Sequence, residues 1–296
     1  MLMPLILVTG ATGQVGRRFT KRLLERPAAG TEVRVLVRDE ERGAPFAAQG
    51  AQLTVGDLRE EKDLRRAMEG VHAVVNIAAA FRGVPDEEAW AVNRDAAVAL
   101  GRAAVEAGTS RFLQVSTNLV YGASRGRPFT EDDESVPGGL LWGAYPASKA
   151  EAERELLALH REHGLDLRIG SLAFVYGDGD PHVANFLPYA ANWAGSKRLA
   201  MVHHADVIQA LLRLLRAPGG TAGGSVSGRK YNIVDDAPAT AVELHQLSGA
   251  PLPEGMTGRT DDDPWSGITS NLRLRDELGW RPLYPSIWTA RDAGVL

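Results

Sequence analysis

Tyr145 and Lys149 stand four residues apart in the segment Tyr145-Pro146-Ala147-Ser148-Lys149, a spacing that puts both side chains on one face of a helix. A free tyrosine titrates at about 10, too high for ready proton exchange at neutral pH, and a nearby ammonium favours the phenolate. Tyr145 is thereby a candidate general acid or base. Pro146 suits the first turn of a helix, where its missing N–H costs little, so Tyr145 belongs at the helix mouth. Ser116-Thr117 ends an apolar run, at the edge where parallel sheets place their ligands. Neighbouring strand side chains point to opposite faces. Thr117 is assigned to the site, its hydroxyl suited to hold a carbonyl oxygen for attack.

A second constellation lies near the start. In Thr9-Gly10-Ala11-Thr12-Gly13-Gln14-Val15-Gly16 three glycines follow a short apolar run and precede a helical pattern, so backbone N–H groups and the positive end of a helix can face a diphosphate. The residues from Gly10 to Gly16, with Thr12, Gln14 and Val15 between the glycines, are therefore the expected dinucleotide cradle. The run Val33–Val37 ends at Arg38, about 20 residues beyond the last glycine, where an acidic side chain would serve the ribose hydroxyls of NAD. A guanidinium there makes forked, charge-assisted contacts with the 2′-phosphate of NADP. NADP(H) is favoured, with Arg17 and Arg42 as helpers. NAD(H) is the alternative, with Asp39 serving the ribose. Asp57-Leu58 is placed to meet the adenine, and Ile77-Ala78-Ala79-Ala80 offers small residues under a cofactor.

Positioning these groups requires an alternation of strands and helices. Apolar runs at 5–8, 33–37, 52–55, 73–77, 111–116 and 167–174 alternate with helical stretches, which describes an α/β fold of Rossmann type, a doubly wound parallel sheet. Val15, Phe19 and Leu23 give one apolar face to the helix that opens in the glycine turn. Long alanine-rich helices are expected near 89–107 and 146–163, with faces suited to a homodimer. Beyond 175 the chain becomes turn-rich, including 217–230. Asp206 is placed to cap a helix, Tyr231–Val234 reads as a strand, and Thr240-Ala241-Val242-Glu243 is a capping box. The expected division is a nucleotide-binding domain at 1–175 and a small mixed substrate lobe at 176–296, interleaved with the first.

The 296 residues include 44% hydrophobic and 24% charged side chains and a formal net charge of -4. No broad basic surface for nucleic acid or anionic lipid follows from that balance, so the partner expected is a small molecule, a carbonyl compound or an alcohol. The run Leu5–Val8 is too short to cross a membrane and lacks the flanks of a leader, which places the protein in the cytoplasm. With no cysteine, thiolate chemistry and disulfides are excluded. His203-His204 with Asp206 lacks a further ligand at metal spacing, and no metal is expected. Glu131–Glu134 and Asp261–Asp263 read as solvated loops.

Taken together, TGATGQVG, Ser116-Thr117-Asn118-Leu119-Val120-Tyr121-Gly122, Tyr145-Pro146-Ala147-Ser148-Lys149, Val175-Tyr176-Gly177, His203–Val207 and Leu278–Pro282 resemble the extended short-chain dehydrogenases/reductases, the NAD(P)-dependent epimerases, dehydratases and reductases. The resemblance covers nearly the whole chain. It implies a Thr117, Tyr145, Lys149 triad, with Lys149 also holding the nicotinamide ribose, and Asn93 near the cofactor. Dehydratases of this branch carry Asp-Glu directly after the threonine; here stand Asn118 and Leu119, which disfavours sugar dehydration. Epimerases usually have asparagine before the Val-Tyr-Gly turn; here stands Phe174, although Asn185 keeps a diphosphate handle open. Members that recycle NAD within a turnover contrast with reductases that consume NADPH, and Arg38 suits the second. The resulting expectation is NADPH-dependent reduction of a ketone or aldehyde, with a nucleotide-sugar epimerase or 4-ketoreductase as alternative and an NADP(H)-sensing binding protein as a further one. Phe81, Asn118, Trp142, Phe174, Tyr176, Asn185 and Phe186 are the expected substrate-pocket residues.

Overall fold

Leu5–Thr9 (β1) is an unbroken apolar segment and forms a fully buried strand. It feeds through the glycine turn into Gln14–Glu25 (α1), whose buried Phe19 and Leu23 recur at helical spacing. The pattern repeats with Glu32–Val37 (β2), Glu40–Ala47 (α2), Gln52–Val55 (β3), Glu61–Met68 (α3) and Val71–Asn76 (β4). After Asp86–Trp90 (α4) the helix winds as a π-turn through Ala91–Ala96 and continues as Ala97–Glu106 (α5). Then come Arg111–Thr117 (β5), Ala144–His163 (α6) and Leu167–Leu172 (β6). The computed structural model describes residues 4–26, 30–219 and 226–296. The 220–225 part of the glycine-rich stretch lies outside the described residues.

A seven-stranded sheet has the order Arg229–Ile233, β6, β5, β4, β1, β2, β3. The pairings from β3 through β2, β1 and β4 to β5 are parallel. This is the Rossmann-type architecture read from the alternation of runs.

Two compact units share the chain. The first comprises residues 1–116, 143–170 and 211–230. Its core includes Leu7, Val74, Leu100, Ala104, Phe112, Leu156, Leu159 and Ile169, so α5 and α6 lie against the same apolar layer as the strands. Arg168 is fully buried in β6, where Asp166 and the Leu214 and Leu215 carbonyls hold its guanidinium, as burial of a charge requires.

The second unit comprises residues 117–142, 171–210 and 231–296. The run 167–174 does not stay one strand. It breaks at Ala173, and Phe174–Tyr176 pairs in parallel with Met201–His203 in a separate small sheet, because the Phe174 N–H turns to the Ala200 carbonyl. Tyr176, Met201, Leu244 and Ile287 form one core cluster, and Phe186, Trp193, Ala241 and Met256 another. The Thr240/Glu243 capping box is present at the start of Ala241–Leu247.

Asp206 corrects the capping expectation. Its helix already starts at His204, and the carboxylate instead accepts the Leu283 and Tyr284 N–H groups at 2.6 and 3.0 Å. Trp280, fully buried, donates its indole N–H to the Asp206 carbonyl. The His-Ala-Asp-Val and Leu-Gly-Trp-Arg-Pro segments are thus two halves of one structural joint.

The acidic stretches are likewise not simple solvated loops. Glu131 accepts the Asn232 N–H at 2.9 Å, and Asp133 is gripped by Arg127 and Arg125. The Arg127 hydrogen bond, chiefly, draws the Asp133 carboxyl down to about 2. Asp261 faces Lys197 at 3.5 Å.

Candidate active site

At the glycine turn the backbone is packed too closely for side chains. Gly10 has φ +68°, and a Cβ on it would lie 2.5 Å from the Ala78 nitrogen, so the turn after β1 and the turn after β4 are in direct contact. A Cβ on Gly16 would lie 2.0 Å from the Gly10 oxygen. Helix α1 begins behind Gly13 with no side-chain cap and no acidic residue in its first turn. Its leading N–H groups and positive end are what a diphosphate satisfies, so these residues fit a dinucleotide. The Gly16→Ala substitution should force the turn open, costing about 2 kcal/mol of stability by overpacking and at least tenfold in dinucleotide affinity. A thermal melt and a fluorescence titration check the two effects; unchanged affinity would remove the turn from the binding site.

Among the other predicted cofactor residues, Thr12 is half-buried and Gln14 exposed, with the Gln14 side chain taking a hydrogen bond from Arg18. Val15 is half-buried. Arg38 is exposed at the end of β2. Asp39 is the N-cap of α2, its carboxylate accepting the Glu41 and Arg42 N–H groups at 2.9 and 3.4 Å. Asp57 is held by Arg59; that hydrogen bond, foremost, lowers its pKa, and the Arg38 charge pulls the same way. Leu58 packs on the core of the first unit. Beside Thr12, a cleft of about 520 Å³ is lined by Arg17, Arg18, Lys21 and Arg42 with Phe46 and Gln49, and among the described residues no carboxylate lines it.

Lys149 is wholly buried, 2% exposed. Its ammonium donates to the Val115 carbonyl at 3.2 Å and the Ala78 carbonyl at 3.3 Å. Burial pushes its pKa down to about 8, and the Glu153 charge partly opposes that shift. Tyr145 is half-buried in the first turn of α6, its ring tilted against Phe81 with centroids 4.5 Å apart.

Asn93 sits in the π-turn, a local winding often found at functional sites. It accepts the Ala80 N–H and donates to the Ala80 carbonyl, both at 2.9 Å, and donates to the Ser148 hydroxyl at 3.2 Å. Ser148 in turn donates to the Tyr145 carbonyl. Asn93 therefore ties the Ala78–Ala80 turn to the helical stretch that bears Tyr145 and Lys149. The first unit brings together Gly10, Ile77, Ala78, Phe81, Asn93, Tyr145 and Lys149.

Other predicted residues have different settings. The Thr117 hydroxyl accepts the Leu119 N–H at 3.3 Å, and Asn118 donates to the Thr269 hydroxyl at 2.7 Å. Phe174 stacks on His182 at 3.8 Å and meets Phe186 edge-on. Phe186 and Tyr176 are buried parts of the second unit's core. Trp142 is half-buried, and Asn185 and Ala79 are exposed. His203 and His204 contact the Val295 carbonyl and the Asp180 carboxylate respectively. Ser116, Ser148 and Glu153 were not among the predicted residues. The step of four from Lys149 to Glu153 was the available signal for the last.

The chain is 26% identical to the UDP-glucose 4-epimerase of Streptomyces lividans across 97% of its own length and 94% of that protein. It is 30% identical to the UDP-glucose 4-epimerase of Vibrio cholerae, over 59% of this chain and 52% of that one; the match spans about half the length of that relative. Its fold is similar to that of the dTDP-glucose 4,6-dehydratase DesIV of Streptomyces venezuelae, solved with NAD bound, with TM-score 0.74, 26% identity and 97% of each chain covered. Among the described residues no helix is long and apolar enough to cross a membrane. Residues 6–233 match the model of the NAD dependent epimerase/dehydratase family, and with the glycine turn, the Tyr145-Lys149 helix and these relatives the chain belongs to that family, the extended short-chain dehydrogenases/reductases, whose members are NAD-dependent enzymes.

Proposed function

We propose that this protein is an NADP(H)-dependent reductase of a ketone or aldehyde carbon, or the corresponding alcohol dehydrogenase. The observation that carries the cofactor preference is the use of Asp39. Its carboxylate, the group the sequence offers for NAD ribose recognition, accepts the Glu41 and Arg42 N–H groups as the cap of α2, and the neighbouring Arg38 is exposed at the strand end. The basic cleft beside Thr12 gives a phosphate further cations. Gly10, Gly13 and Gly16 would hold the diphosphate, and Ala78 and Ile77 would underlie the cofactor.

The nicotinamide supplies the hydride when bound. Tyr145 gives its phenolic proton to the developing alkoxide, and Lys149 holds positive charge that favours the phenolate left behind. Thr117, by its position at the end of β5, is the hydroxyl assigned to the carbonyl oxygen. The carbonyls of Ala78 and Val115 fix the Lys149 ammonium, so its charge needs no reorganisation during proton transfer.

A second reading, epimerisation of a sugar nucleotide with retained NAD, is favoured by the two epimerases and the NAD-bound dehydratase among the relatives. Fluorescence titration with NADPH and NADH separates the two. NADPH is expected to bind at least tenfold tighter to the purified protein, and the R38A variant should lose about tenfold in NADPH affinity, roughly 1.4 kcal/mol, with little change for NADH. NAD carried through purification, or equal affinities, would turn the substrate search to sugar nucleotides.

A further inference from the structure

Helix α6 carries a third charged or titratable group on the row that holds Tyr145 and Lys149. Glu153 follows Lys149 by another four residues, so its carboxylate lies one turn further along the same face. The side chain is buried, 6% exposed. One oxygen accepts the Ser116 hydroxyl, and the other accepts the Lys230 ammonium at 2.8 Å. Ser116 is the strand residue directly before Thr117, and Lys230 lies on the sheet strand Arg229–Ile233 beside β6.

Removing a carboxylate from water costs several kcal/mol unless it is well paired, and an apolar residue at this helix position would carry no such cost. Lys149 supplies a reason for the charge. Its hydrogen bonds go to two carbonyls, which offer partial negative charge only. Glu153 is the full negative charge that acts on it. Among the described residues, Lys149 donates to the Val115 carbonyl of β5 and the Ala78 carbonyl of the turn after β4; on its own helix it shares a face with Tyr145 and Glu153, and behind Glu153 stands Lys230.

We propose that Glu153 is a positioning residue of this site: its carboxylate keeps the buried Lys149 an ammonium and pins the strand residue before Thr117, while Lys230 balances its second oxygen. The importance of this for turnover rests on the function proposed above. The electrostatic half concerns Lys149 alone, so it is tested without substrate or cofactor.

The lysines of the chain are Lys21, Lys62, Lys149, Lys197 and Lys230, few enough for each to be followed by NMR of protein labelled with ¹³Cε-lysine. The Lys149 signal is assigned by its absence in K149R. In the wild-type protein its midpoint is expected near pH 8. E153Q keeps an oxygen for Ser116 and removes the charge, so the midpoint should fall by about one unit. E153D should restore most of the shift.

E153Q leaves Lys230 facing a neutral group, which endangers folding. The comparison is therefore repeated with K230M and E153Q/K230M, where the double variant should again titrate about one unit below the single one. S116A cuts the hydrogen bond and spares the charge, and should move the midpoint by no more than about 0.2 unit. A Lys149 midpoint that ignores the Glu153 charge in both backgrounds overturns the proposal. With a substrate in hand, the alkaline limb of kcat should move down with the Lys149 midpoint in E153Q; a limb that stays in place overturns the positioning role. An enzyme that reduces no carbonyl fails the proposed function and not the assignment of Glu153, which the NMR titration decides.

Discussion

Replacing Tyr145 by phenylalanine is expected to cut turnover about a thousandfold, near the middle of the range for loss of a positioned proton donor and equivalent to about 4 kcal/mol of barrier. Cofactor affinity should hardly change. The ring that packs on Phe81 is kept, and the Lys149 ammonium retains both carbonyl acceptors, so the variant lacks one hydroxyl and little else. The measurement is single-turnover oxidation of NADPH with a carbonyl that the wild-type protein reduces, beside a fluorescence titration of the same variant. Turnover above about a tenth of wild type would rule out Tyr145 as the proton donor. Loss of affinity equal to the loss of turnover would point instead to a role in binding.

Lys149→Met should cost the activity and change how stability depends on pH. Burial holds the folded lysine at about 8, whereas the unfolded chain releases that proton at about 10.4. Below pH 8 both states carry the proton, so the folded protein bears the full cost of an ammonium out of water. Between pH 8 and about 10.4 the unfolded state binds more protons than the folded one, so stability rises with pH across that window. The wild-type protein should therefore gain about 3 kcal/mol on K149M between pH 7 and pH 10.5. At pH 7 the two should be close in stability, because methionine escapes the charge burial and forfeits two hydrogen bonds of about 1 kcal/mol each. Urea unfolding of both proteins at several pH values gives the difference directly; parallel stability curves would mean that Lys149 is not desolvated in the folded protein. A buried lysine that gives the folded protein no advantage over methionine at neutral pH is consistent with retention for chemistry and not for stability.

Much of the first unit was legible because its signals are local. A strand, a glycine turn and an amphipathic helix are written within residues 5–25, and the Tyr145, Lys149 row needs only the geometry of one helix. The Thr240/Glu243 capping box is equally short-range. The break at Ala173 was not legible, since Leu172, Ala173 and Phe174 run on as apolar residues and periodicity cannot show where a strand leaves one sheet for another. Asp206 misled for a related reason: its composition fits a cap, but its actual partners, Leu283 and Tyr284, are 77 and 78 residues away.

The sequence by itself determined the order of the elements, the close-packed glycine turn and the residue types able to transfer a proton, since each depends on backbone geometry over a few residues. Only the tertiary structure decided which charges are buried and what holds them. The Lys149 acceptors come from Ala78 and Val115, 71 and 34 residues away. Glu153, one polar residue among several on an alanine-rich helix, is distinguished from its neighbours by Ser116 and Lys230, 37 and 77 residues away. Glu131, an acidic residue in a run that reads as solvated, is held by the Asn232 N–H, 101 residues away. Desolvation depends on what the distant chain lays over a side chain, and no local spacing encodes that.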